Sequence, residues 1–115
     1  VANPAGLRGL PDEAKMNSGP GEQATRVHVW VVGRVQGVGF RAFVADSAEY
    51  IGVSGWVRNV GWDTVEAVAE GSPEQIEQFI KMMKTGPRAS RVNEQRVETE
   101  FSTGEFAGFE VRSSR

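Results

Sequence analysis

The stretch Gly33-Arg34-Val35-Gln36-Gly37-Val38-Gly39-Phe40-Arg41 narrows the folds open to this chain more than any other segment. Before it, Val27, Val29 and Val31 alternate with His28, Trp30 and Val32, the period-two pattern of a strand with one face in a core. After it, Phe40, Phe43, Val44, Ala48 and Ile51 recur at three- and four-residue spacing, and Gly52 is placed to end a helix in the left-handed conformation. A strand therefore runs into a glycine loop and out into a helix. Glycine permits positive φ and close approach, so consecutive N–H groups can converge on one small oxyanion. The helix start adds free N–H groups and the positive end of its dipole. Arg41 contributes a planar fork of donors suited to bidentate contact with a tetrahedral anion. A tight turn beside a solvated Arg41 accounts for one or two of the glycines but not for the set. Glycines at 33, 37 and 39 do not fit G-x-G-x-x-G, and no Gly-Lys-Ser/Thr follows, so the dinucleotide fingerprint and the nucleotide P-loop are both excluded. The expected ligand is smaller than either.

Composition narrows the chemistry further. With 115 residues there is room for one domain, and 13 basic against 15 acidic side chains give a net charge of −2. That balance exerts no broad attraction on nucleic acid or anionic membranes, so neither is expected as a partner, and an anion must be bound locally. The chain has no cysteine, which removes disulfides, thiolate metal sites and a cysteine nucleophile. His28 is the lone histidine and reads as a strand residue near a sheet face, so neither a metal site nor a phosphohistidine relay is expected. No apolar run reaches membrane-span length and no segment resembles a secretion signal, which makes the cytoplasm the expected location.

Residues 1–25 are punctuated by Pro4, Gly6, Gly9, Pro11, Gly19, Pro20 and Gly21 and carry few large apolar side chains, the signature of a flexible tail. Met16 within it is a candidate native start. The domain is expected over residues 26–115. After the first helix, Gly55-Trp56-Val57-Arg58-Asn59 and Thr64 to Glu70 read as a hairpin around Val60-Gly61-Trp62-Asp63. Ser72-Pro73-Glu74-Gln75 supplies an N-cap, a proline at the first helical position and a capping-box glutamine, and Ile76, Phe79, Ile80 and Met83 share one helical face up to Gly86-Pro87. A strand from about Arg91 to Phe101 needs a bulge or a shifted start, because Val92 and Val97 fall on opposite parities. Phe109 and Val111 mark a last short strand. The order β-α-β-β-α-β plus a short C-terminal strand predicts an α+β, ferredoxin-like split βαβ fold, an antiparallel sheet with two helices on one face.

Val-Gln-Gly-Val-Gly-Phe-Arg over 35–41 and Gly-Trp-Val-Arg-Asn over 55–59, at this separation, resemble the acylphosphatases; the resemblance runs over residues 26 to 112 and is softer at Gly71-Ser72-Pro73, Gly86-Pro87 and Ser90-Arg91-Val92. It implies hydrolysis of small acyl phosphates without metal or cofactor, by a monomer. It also implies a phosphate cradle of Arg34, Val35, Gln36, Gly37, Val38, Gly39 and Phe40, with Arg41 as the binding arginine and Asn59 as the residue that orients water. Inorganic phosphate or sulfate is then the expected competing anion. The chemistry suits so spare a site, because the leaving carboxylate is stable as an anion and needs no general acid.

Each residue also has a structural reading. Asparagine at a strand end commonly serves a turn, Arg34 and Arg58 can be solvated or raise the local potential, and Trp30, Trp56 and Trp62 read as packing or surface aromatics. Glu66 and Glu70 share a strand face but lie too far apart for a carboxylate pair. Val60-Gly61-Trp62-Asp63 departs from the Asn/Asp-Gly type of turn common in the family, a difference that bears on substrate preference. Two other functions compete with the hydrolase. One is a non-catalytic anion-binding or regulatory module of the same family; a single-strand RNA binder is disfavoured by Glu66 and Glu70 on a central strand.

Overall fold

The computed structural model describes residues 24–115; the expected tail lies outside the described residues up to residue 23, and Thr25 is already the first residue of a strand. In chain order the elements are β1 (Thr25–Arg34), α1 (Phe40–Ile51), β2 (Ser54–Val60), β3 (Thr64–Gly71), α2 (Pro73–Thr85), β4 (Arg91–Glu100) and β5 (Phe109–Val111). The described strands form one sheet in the order β4-β1-β3-β2-β5. Among the described residues no helix is long and apolar enough to cross a membrane.

The alternation in β1 sets which face is buried. Val27, Val29 and Val31 lie in register with Ala69, Ala67 and Val65 of β3, and together with Val57 of β2 they make the floor of the core. Val44 and Ala48 of α1 and Ile76, Phe79 and Met83 of α2 close it from above, so both helices lie on one face. The small Ala67 and Ala69 beneath the helices leave room for the ring of Phe79, which is fully buried 5.8 Å from Phe109. Local chemistry ends the helices where the sequence places their caps. Gly52 takes φ 98° and donates to Ala48 O at 2.8 Å, while Ser72 and Gln75 exchange both bonds of a capping box.

β4 meets the parity conflict of its pattern by a bulge rather than a shifted start. Pairing with β1 steps from Val32↔Glu94 to Gly33↔Val92, so Asn93 is the extra residue, and Val92 and Val97 both come to the helix side. The sheet departs from the expected antiparallel arrangement at one edge, where β5 pairs with β2 in parallel, Gly55↔Phe109 to Val57↔Val111. β4 and β5 occupy opposite edges, and residues 101–108 cross between them. A chain that leaves β4, turns back and crosses the sheet runs opposite to β4, and that is the direction of β2.

Among the described residues no helix covers the other face of the sheet, yet Glu66 and Glu70 are buried there. Their partners come from neighbouring strands. Glu66 accepts from Arg58 Nε at 2.7 Å and meets His28 Nε2, while the second ring nitrogen of His28 lies 3.2 Å from Glu100. Glu70 accepts from the N–H groups of Thr103 and Gly104 at 2.9 and 3.0 Å, from Ser102 Oγ and from Arg26, which fastens the crossing segment to the sheet. The aromatic rings are covered as well: Trp30 stacks on His28 beneath Arg96, and Trp56 lies against the guanidinium groups of Arg58 and Arg112. Thus Arg58 is ion-paired rather than solvated, and Trp30 and Trp56 are packing aromatics.

These contacts make stability depend on pH. Burial pushes both carboxyls up, but the bonds from Arg58 and His28 to Glu66, and those from Thr103, Gly104, Ser102 and Arg26 to Glu70, outweigh it and hold both below the usual value of 4.5. A carboxyl held low in the folded state contributes stability that is fully present above its unfolded value and lost as pH falls through the folded one. Chemical unfolding should therefore show stability level from about pH 7 to about pH 5 and falling below about pH 4.5. Glu70→Gln should be less stable at neutral pH, and the fall on acidification should be shallower. An acid limb as steep in this variant as in the parent would refute the assignment.

Candidate active site

The loop between β1 and α1 is held from below by its own side chains. Val35 and Phe40 are buried in the core, Val38 packs against it, and Gly37 and Gly39 at φ 74° and 77° turn the exposed backbone between them. An L side chain is strained at such φ values, which is why glycine stands at both positions. Gly86 makes room for Phe40, since a Cβ there would lie 2.7 Å from the Phe40 ring. Fixed at both ends, the loop presents its main chain outward.

The consequence for its N–H groups is specific. Gly39 caps α1 without a side-chain acceptor, and Phe43 N–H donating to Gly39 O at 3.0 Å is the first backbone bond of the helix. Among the described residues, the N–H groups from Gln36 to Ala42 donate to no protein acceptor. Successive free donors at a helix N-terminus form a concave site for an anion.

A second segment is fastened to the loop. The Gln36 side-chain amide donates to Val60 O, Gly61 O and Thr64 O at 3.2, 3.1 and 2.9 Å, and Gly33 N–H donates to Asp63 O at 2.9 Å. The β2–β3 turn is thereby held against the cradle. Asn59, in register with the core residue Val65, shares the helix side of the sheet with Val57 and is half-buried at the end of β2. Among the described residues its side-chain amide has no hydrogen-bond partner.

Arg41 reaches the same end of β2 through the C-terminal segment. Its Nη1 lies 3.3 Å from Arg112 O, Arg112 N–H donates to Val57 O at 2.8 Å, and Arg115 N–H donates to Asn59 O at 2.8 Å. The half-buried Arg41 has no carboxylate partner among the described residues, so its remaining donors face no competing anion of the protein. Loop, Arg41 and the Asn59 end of β2 thus converge. Among the described residues no group of three or more His, Asp and Glu side chains is placed to hold a metal.

The expected site residues divide by what they offer. Gly37 and Gly39 offer backbone alone; Val38 and Phe40 offer N–H groups while their side chains, with that of buried Val35, anchor the loop; Gln36 offers its N–H while its side chain holds the hairpin. Arg34 is exposed and lies in register with Arg91 at the edge of the cradle. Two contributions have no counterpart in the sequence reading: the clamp made by Gln36 and the Arg112 carbonyl that receives Arg41. Both join residues far apart in the chain, and no local pattern marks them. Gln36→Ala should leave the fold intact, lower stability by about 1 kcal/mol and speed hydrogen exchange at Gly33. Exchange at Gly33 as slow as in the parent would mean that the clamp does not hold the turn.

A family model described as acylphosphatase matches residues 27–111. A curated acylphosphatase of Trichormus variabilis is 47% identical over 96 residues, covering 84% of this chain and 94% of the relative. Two solved structures, an acylphosphatase from Coxiella burnetii and one from Bacillus subtilis, are each 34% identical, with TM-scores of 0.75 and 0.73. They cover 79% and 76% of this chain and 95% and 98% of their own.

Proposed function

The chain belongs to the acylphosphatase family and hydrolyses the carboxyl-phosphate bond of small acyl phosphates to a carboxylate and inorganic phosphate, and we propose that the loop from Arg34 to Phe40 and Arg41 hold the phosphoryl group while Asn59 orients the attacking water. The observation that carries this reading is the run of N–H groups from Gln36 to Ala42 with no protein acceptor among the described residues, beside an arginine with no carboxylate partner there. Negative charge on the phosphoryl oxygens meets donors that are already aimed and need not reorganise as the charge redistributes. The Asn59 amide both accepts and donates, so it can fix a water in line with the departing oxygen.

In this reading the water oxygen forms a bond to phosphorus as the bond from phosphorus to the acyl oxygen breaks. The electron pair leaves with the carboxylate; one proton of the water stays on the new phosphate and the other passes to a phosphate oxygen or to solvent. The carboxylate is a weak base and needs no proton on departure, so the site requires no general acid. Arg41 has the larger electrostatic task and Asn59 the positional one.

The two roles separate experimentally. Arg41→Ala should weaken phosphate binding and turnover together by about tenfold or more, the loss of a charge-assisted contact of roughly 1.5–3 kcal/mol. Asn59→Ala should bind phosphate within a few-fold of the parent while kcat falls about a hundredfold. A folded Asn59→Ala protein with near-normal turnover would remove the water-orienting role. Inorganic phosphate and sulfate should inhibit competitively and raise Tm by mass action, and phosphate should shift the amide resonances of residues 36–42. Inhibition without those shifts would place the anion elsewhere.

A further inference from the structure

We infer that Trp62 is the acyl-group contact of this chain and that it favours acyl phosphates with an aromatic or other flat apolar acyl part; the inference rests on the reaction proposed above. Three observations carry it. First, Trp62 is 84% exposed, whereas Trp30 and Trp56 have their ring faces against cationic side chains or the His28 ring. Second, the turn that bears Trp62 is fastened to the cradle at several points, by Gln36 to Val60 O, Gly61 O and Thr64 O and by Gly33 to Asp63 O. Third, Trp62 follows Asn59 by three residues, which bounds their Cα separation at about 11 Å even for extended chain.

Of the other large exposed apolar side chains, Tyr50 is at the last turn of α1, Val97 is in mid-β4 opposite Val29, and Phe101 follows the end of β4 that pairs with Arg26, opposite the loop; Val111 lies beside Arg112 on the β5 edge and is aliphatic, with no flat ring to offer. A phosphoryl group seated on the Gln36 to Ala42 donors leaves its acyl part to project over the rim. The rim nearest Asn59 is the β2–β3 turn. An indole there offers a rigid face that stacks on an aromatic ring and gives a methyl group little to hold. The position makes Trp62 a specificity residue that takes no part in bond breaking.

The test compares hydrolysis of benzoyl phosphate and acetyl phosphate by the parent, Trp62→Ala and Trp62→Phe. Trp62→Ala should raise KM for benzoyl phosphate roughly two- to tenfold, with kcat little changed, and leave kcat/KM for acetyl phosphate within about twofold. Trp62→Phe should recover most of the loss. Benzylphosphonate should quench tryptophan emission in the parent and much less in Trp62→Ala, while methylphosphonate should quench neither. An unchanged ratio of the two kcat/KM values in Trp62→Ala would overturn the inference and leave the reaction standing. Failure of the parent to hydrolyse either substrate would instead overturn the reaction, and the inference with it.

Discussion

The site depends on the β1–α1 loop being held from below and from the side while its N–H groups stay unspent. Val35 and Phe40 are buried at its two ends, Val38 packs between them, and the Gln36 amide donates to carbonyls of the neighbouring turn. The side chains take up the anchoring, so the main chain is free to face outward. A loop of the same sequence without those anchors would have to be ordered by the ligand itself, and binding would be weaker by that entropy. The core under the cradle is therefore part of the site. The side chains of Val35, Val38 and Phe40 carry no donor for an anion, yet they fix the direction in which the backbone donors point.

The same economy governs the face of the sheet away from the two helices. There β1, β2, β3 and β4 place charged and aromatic side chains in mutually satisfied pairs. Buried Glu66 and Glu70 would be costly if unpaired, and each accepts several bonds from neighbouring segments. Glu70 also fastens residues 102–104, and so guides the crossing that delivers β5 and the following residues to the edge of β2. That path brings Arg112 O within reach of Arg41. A carboxylate at one end of β3 thus helps to position an arginine at the far end of the sheet.

What was legible in the sequence follows from the range of the interactions concerned. The alternation of Val27, Val29 and Val31, the spacing of Phe79 and Met83, the Ser72 and Gln75 capping box and the left-handed Gly52 are local, and each element appears where those residues place it. That β4 needed a bulge or a shifted start was readable, because two valines of one strand had to reach one face; the choice of a bulge at Asn93 was not. The parallel edge was not, since its direction is decided by the crossing of residues 101–108 and the bonds to Glu70. Within the site, Gly37, Gly39 and Arg41 announce an anion by residue type alone. Asn59 does not; a strand-end asparagine reads as a turn until the family resemblance singles it out. The Gln36 clamp and the Arg112 carbonyl depend on pairings across much of the chain, and nothing local encodes them.

The arrangement separates two kinds of recognition on two kinds of backbone. In the proposed mode the phosphoryl half of a substrate meets main-chain donors whose direction is set by glycine conformation and core anchors, so its chemistry can change little without rebuilding the loop. In the same proposal the acyl half projects toward the tip of the β2–β3 turn, where Trp62 is exposed and Gly61 takes a positive φ with no neighbour within 4 Å of an added Cβ. Side chains at that tip can change without disturbing the Gln36 bonds, because the acceptors are carbonyls of Val60, Gly61 and Thr64 rather than side chains. A change of side chain at position 62 that keeps the backbone conformation therefore leaves these bonds in place, and preference for the acyl group can then vary independently of the machinery proposed to break the bond.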